Sequence, residues 1–167
     1  MIVRGGYVDR AVYEEICKVK GGSKEFSELD INTLGAFFKT ELARKMAEAA
    51  RRNELYREQK FVLGLSADEI AGYLKECGKG ESDIARRFEG LDARILIQGV
   101  IDGFFIDEDG SVVLMDYKTD KCKEQEMIDR YKLQLELYKR AIESATNKKV
   151  KEIYIYAVRL GKSIEVK

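Results

Sequence analysis

Apolar residues recur along the chain with two different periods. Between Asp30 and Arg52, Leu34, Phe37, Phe38, Leu42 and Met46 fall at helical spacing. This predicts a long helix with one buried stripe, capped by Asp30 or Asn32. The same period runs from Lys123 to Ala145 through Met127, Tyr131, Leu135, Tyr138 and Ile142, predicting a second long helix. A shorter helix is expected over 9–20, with Val12, Ile16 and Val19 on one side and Gly21-Gly22-Ser23 as its stop. Strand-like runs separate these stretches: Tyr56–Leu65, then Val150–Val158, which alternates through Ile153, Ile155 and Ala157, then Ser163–Val166 as a short edge strand. The polar, glycine-punctuated stretch Ser66–Gly90 predicts a helix over 67–76 capped by Ser66 and another over 82–88. Gly78-Lys79-Gly80 lacks the frame of a phosphate loop and reads as a linker.

The centre of the pattern is Ala93–Asp120. Two runs rich in Val, Ile and Phe, Ile97–Ile106 and Val112–Met115, flank the polar turn Asp107-Glu108-Asp109-Gly110, which predicts a β-hairpin. A turn centred near Asp109 places Asp102 opposite Asp116. Directly opposed side chains share a face at roughly 4.5–5.5 Å between Cβ atoms, and two like charges there are destabilising unless compensated. A divalent cation with oxygen ligands is the natural compensator. Lys118, two residues on, projects to the same side as Asp116. Two carboxylates, an ammonium and room for a cation suit metal-assisted hydrolysis of a phosphodiester, because a cation lowers the pKa of water and polarises the phosphoryl oxygen. The Lys118 ammonium can orient water or offset charge growing on the phosphate. The strand–helix–strand order from Val112 to Val158 implies a parallel pair. The sum is an α/β protein, a mixed sheet flanked by helices.

Composition narrows the chemistry. The chain has 167 residues, a size that suits one domain, with 45% apolar residues. Thirty basic and thirty acidic residues cancel, so net charge gives no sign of nucleic-acid binding; a binding face would need charge segregated by folding. There is no histidine, which excludes histidine acid–base catalysis and histidine metal ligands within these 167 residues. Cys17, Cys77 and Cys122 are far apart, as reduced thiols of a cytoplasmic protein would be. No run approaches the roughly 18 apolar residues of a membrane span, so no membrane partner is expected.

The ordered set Gln98-Gly99-x-x-Asp102, Asp116-Tyr117-Lys118-Thr119-Asp120 and Gln134-x-x-x-Tyr138 resembles the PD-(D/E)xK nuclease superfamily. More narrowly, it resembles the RecB-type domain that ends bacterial helicase–nuclease proteins of the A type. Upstream, GAFFKTELARKM and YREQKFVLGL are similar to the lead-in to that family's first core strand. The resemblance covers Ile31–Val158. It implies a restriction-endonuclease-like core over 56–167 behind a helical lead-in over 1–55, in one nuclease domain that is expected to be a C-terminal piece of a larger helicase–nuclease. It implies Mg²⁺, replaceable by Mn²⁺, held by Asp102, Asp116 and the Tyr117 carbonyl. Lys118 and Gln134 complete the expected catalytic set, with Glu58 and Tyr138 as accessory residues. The expected activity is exodeoxyribonuclease cleavage leaving 5′-phosphate and 3′-hydroxyl ends. Implied partners are DNA single strands fed by a helicase and a second helicase–nuclease subunit, in recombinational double-strand-break repair. The family commonly carries a histidine near the metal; its absence here predicts weak activity for the chain alone. No motor motif is present, so ATP hydrolysis is not expected. A catalytically silent DNA-docking or structural module with the same fold is the alternative. Each accessory residue has a plain reading too: Glu58 as an exposed strand carboxylate, Tyr138 as core. The Arg44, Lys45, Arg51 and Arg52 cluster is read as a solvated helix end.

Overall fold

The computed structural model describes residues 35–167, apart from Lys79 and Glu89. The helix expected over 9–20, its glycine stop, Leu34 and the caps Asp30 and Asn32 lie outside them. The long helix read over 30–52 is broken in its described part. One helical turn covers 35–37, and helix α1 starts afresh at Glu41 and runs to Arg51 (Glu41–Arg51). Thr40 causes the restart. Its backbone is extended, and its hydroxyl accepts from the Ala43 N–H at 3.1 Å while donating to the Phe37 carbonyl at 2.7 Å. That satisfies one of the orphan amides of a helix start.

Strand β1 (Leu55–Ser66) follows, then α2 (Ala67–Glu76) and α3 (Asp83–Phe88). Ser66 and Glu69 form a reciprocal capping box at the start of α2, at 3.1 and 2.9 Å. The hairpin is β2 (Arg94–Ile106) and β3 (Val112–Lys118). Its connection is closed by Asp107 N–H on the Ser111 carbonyl at 2.8 Å and by Gly110 in the left-handed region at φ 80°. Helix α4 (Glu124–Thr146) ends on Asn147 in the left-handed conformation. Strands β4 (Val150–Ala157) and β5 (Lys162–Glu165) complete a five-stranded sheet in the order β1-β2-β3-β4-β5. Among the described strands, only β3 and β4 pair in parallel, as their connection through α4 requires; the other neighbours are antiparallel.

Helices cover both faces of the sheet. Alternation sends Leu114 under α4 with Met127, Leu135 and Ile142, and sends Val113 and Met115 to the other face under Leu42, Met46 and Ala49 of α1. Each large apolar side chain so buried contributes about 1.5–3 kcal/mol. A third cluster joins α2 and α3 to the far ends of β1 and β2 through Leu63, Leu65, Ile70 and Leu74. Three of the basic residues in and just after α1 are paired: Arg44 with Glu41 and Glu48, Lys45 with Asp107 and Glu152, and the C-cap Arg52 with Glu54. They lie on the α1 side of the sheet, opposite the face that carries Asp116, as the plain reading expects.

Candidate functional site

The hairpin keeps the register read from its turn. Phe104 faces Leu114 and Gly103 faces Met115, so Asp102 and Asp116 are the next pair along. The β2–β3 ladder ends there. From this point β3 continues to Lys118 beside β4 alone, while β2 continues beside β1. The candidate site lies in the fork between them.

Two local irregularities shape the fork. First, strict alternation fails on β2. Ile101 and Phe104 are three residues apart, yet both bury in the cluster under α4, while Phe105 buries on the opposite face. The strand therefore reverses the faces of its side chains near Asp102 while its register with β1 is kept. Second, the β1–β2 ladder pairs Arg57 with Gly103 and Gln59 with Ile101 but skips Glu58, whose backbone sits at φ 49°. A left-handed non-glycine residue inside a strand is sterically costly, and it marks the same break on the partner strand with one residue skipped on each side. Asp102 is left with a side chain in place of a ladder partner: its Oδ2 accepts the Tyr117 N–H at 2.9 Å.

Asp116 is 1% exposed, the one charged residue among the buried side chains described. Its Oδ2 lies 2.6 Å from the Lys118 ammonium but has no aligned hydrogen-bond donor. Burial pushes its carboxyl up to about 6; the Lys118 charge pulls the other way, and the Asp102 carboxylate adds to the rise. A buried, under-satisfied carboxylate beside a second carboxylate fits a hard cation with oxygen ligands. Among the described residues, no three His, Cys, Asp or Glu side chains converge into a metal cluster. A cation here would therefore rest on Asp102, Asp116 and backbone or solvent oxygen, with the Tyr117 carbonyl as the candidate backbone ligand.

Lys118 is held from three sides. It reaches Asp116 Oδ2, donates to Gln134 Oε1 at 3.2 Å, and sits 4.2 Å from the centre of the Tyr131 ring. Gln134 in turn donates through Nε2 to the Tyr138 hydroxyl at 2.6 Å. Tyr138 is 8% exposed and packs in the core, and its hydroxyl accepts from Gln134. Burial raises its phenol above the usual range. The Tyr131 hydroxyl donates to Asp120 at 2.8 Å, and Arg130 pairs with the same carboxylate. Asp120 is thus a tether between the β3–α4 turn and the helix.

The structure brings Asp102, Asp116, Lys118, Gln134 and Tyr138 together. Tyr117 turns its ring to the other face, against Phe37 and Tyr156. Glu58 lies opposite Asp102 in register, but it is exposed and makes no described contact with the other four. Sequence reasoning placed Tyr131 on the apolar stripe and missed its contact with Lys118. Its position one turn before Gln134 on the same helix face was the available signal.

A model of the PD-(D/E)XK nuclease superfamily matches residues 12–165 of the chain. Curated relatives, each named as the A subunit of an ATP-dependent helicase/nuclease, match most of it as well. The protein of Lachnoclostridium phytofermentans is 35% identical over 86% of this chain and 12% of its own length. That of Thermoanaerobacter sp. strain X514 is 37% identical over 95% and 11%. That of Clostridium novyi is 38% identical over 78% and 10%. The chain thus spans about a tenth of the length of the relatives it matches.

Proposed function

The chain belongs to the PD-(D/E)XK nuclease superfamily, and from that premise we propose that it is a divalent-metal-dependent exodeoxyribonuclease domain. The observation that carries the reading is Asp116, buried and under-satisfied at the fork of β2 and β3, with Asp102 and Lys118 converging on it. Asp102, Asp116 and the Tyr117 carbonyl would hold Mg²⁺ or Mn²⁺. Such an ion supplies Lewis-acid activation of water and of the phosphoryl oxygen. The Lys118 ammonium is placed to orient water and to offset charge that develops on the phosphate. Gln134 and Tyr131 hold that ammonium from its other sides, and Asp102 is fixed by the Tyr117 amide. Tyr138 holds the free end of the Gln134 amide. Glu58 is proposed as an accessory acidic group at the mouth of the fork. The relatives' names, which describe one subunit of a helicase/nuclease, support a helicase beside the nuclease and a further subunit. The substrate is proposed to be DNA single strands delivered by that helicase, in recombinational double-strand-break repair. We further propose that the chain is a single nuclease domain of such a longer protein and works in the cytoplasm; among the described residues no helix is long and apolar enough to cross a membrane.

The test is cleavage of end-labelled single-stranded DNA in Mg²⁺ or Mn²⁺ by this chain and by Asp116→Ala. The substitution is expected to cost at least about 100-fold in rate, as removal of a charge-stabilising group does. The product ends and the order of release report 5′-phosphates and exonucleolytic action. Equal background from both proteins would overturn the catalytic reading in favour of a silent docking module.

A further inference from the structure

A groove of about 350 Å³ opens between the β1–β2 arm and α4, immediately beside the candidate site. We propose that it is a subsite for one nucleobase of a DNA single strand, at a nucleotide neighbouring the phosphate held over Asp102 and Asp116. The inference rests on the nuclease reading above and adds where the substrate's base goes.

Contiguity is the first argument. Gln134 and Tyr138 line the groove, and the same Gln134 amide accepts from Lys118. The groove therefore begins one side chain away from the ammonium that faces the phosphate. A strand laid across the fork must place a neighbouring base on one side of that amide.

Chemistry is the second argument. The other walls are the Phe61 ring and the aliphatic side chains of Ile97, Leu133 and Leu137. Among the described residues no carboxylate lines the groove, and the Arg130 guanidinium, held by Asp120 and Glu126, is part of its lining. Flat apolar faces with polar edges are what a base presents, and apolar walls with an amide and a guanidinium match both. Stacking on an aromatic ring tolerates any base. The Phe61 ring is only partly buried and is held in place: it meets Tyr138 edge-on at 5.5 Å, and it lies over Gly99, where a Cβ would come within 2.9 Å of Cε1. Glycine at 99 lets the ring lie down against β2 and form a wall.

The experiment is a scan with single-stranded oligonucleotides, each lacking one base at a different distance from the cleaved bond. Binding to this chain is read by fluorescence anisotropy in Ca²⁺, and cleavage in Mg²⁺. One abasic position is expected to weaken binding by about tenfold, within the range of a single stacked base. Phe61→Leu, checked by thermal unfolding, is expected to remove that dependence on position. A flat scan with cleavage intact overturns the subsite and leaves the nuclease reading standing. The same position-specific loss in Phe61→Leu also overturns it. If wild type neither binds nor cleaves and matches Asp116→Ala, both readings fall together. Should Phe61→Leu fail to fold, Leu137→Ala is scanned in its place, and the wild-type scan decides by itself.

Discussion

Asp116 sets the energetics of the site at the scale of one residue. Its carboxyl is raised from 3.8 to about 6 by burial, so between those values the folded chain holds a proton that the unfolded chain releases. The sign follows directly. The associated stability is present below about pH 4, is lost as pH rises through about 6, and stays lost above that. At one pKa unit per 1.36 kcal/mol the cost is at most about 3 kcal/mol. Asp116→Asn is therefore expected to unfold at higher denaturant than wild type at pH 7.5 in chelator, with the difference vanishing near pH 4. Identical midpoints at pH 7.5 would mean that the carboxylate is not desolvated. The surface carboxylates Asp107 and Asp109 work in the opposite sense, because Lys151 holds both below the usual range. They affect both proteins equally and cancel in the comparison.

At the scale of elements, the site is made by a flaw shared between two strands. A fully regular β1–β2–β3 sheet would keep Asp102 in the ladder and send every second residue of β2 to a fixed face. The reversal of faces near Asp102 and the left-handed Glu58 opposite it break that regularity where the β2–β3 ladder ends. The backbone of Glu58, rather than its carboxylate, is then the part the geometry needs. Glycine adopts that conformation freely, whereas for an L side chain it costs about 1–2 kcal/mol, Glu58 included, and a β-branched one is the worst fitted. Glu58→Gly is expected to melt no lower than wild type, and Glu58→Val lower by several degrees. Equal melting of the two variants would show that the strand relaxes to regular pairing when asked. Helix α4 supplies the other half of the site. Its inward face carries Tyr131, Gln134 and Tyr138 on successive turns, and its packing through Met127, Leu135 and Ile142 fixes them over β3.

For the whole molecule, the two-faced sheet keeps structure and chemistry apart. The α1 face is closed by apolar packing and local ion pairs, while the α4 face carries the fork at the end where β3 outlasts β2. A cation that binds the fork binds only the folded chain, so it stabilises by mass action. At a hundredfold excess over its dissociation constant Mn²⁺ should add about 2.7 kcal/mol. For a chain of this size that is roughly a 5–10 °C rise in melting temperature. Asp102→Ala should abolish the rise. A rise that persists in Asp102→Ala would place the cation elsewhere on the molecule.

Much of this was legible in the residues. Alternation, turn chemistry and helical period are local, so β1, α2, the hairpin register, α4 and the parallel β4 could all be read from the chain, and Asp102 facing Asp116 followed from counting back from the turn. The break at Thr40 was missed because an apolar stripe continues through it; the stop is a hydroxyl bond to the backbone, which periodicity does not see. The family resemblance supplied Gln134, and neither spacing nor period alone would have chosen it over its neighbours. The tertiary structure decided the remainder. That Asp116 is buried without an aligned donor, that β1 and β2 break their regular pairing at Glu58 and Asp102, that Tyr131 lies under Lys118 and that Phe61 walls a groove beside Gln134 all depend on elements distant in sequence. Burial, desolvation and cation–π contact arise only when separate strands and helices close on one another, so no local pattern in the chain can encode them by itself.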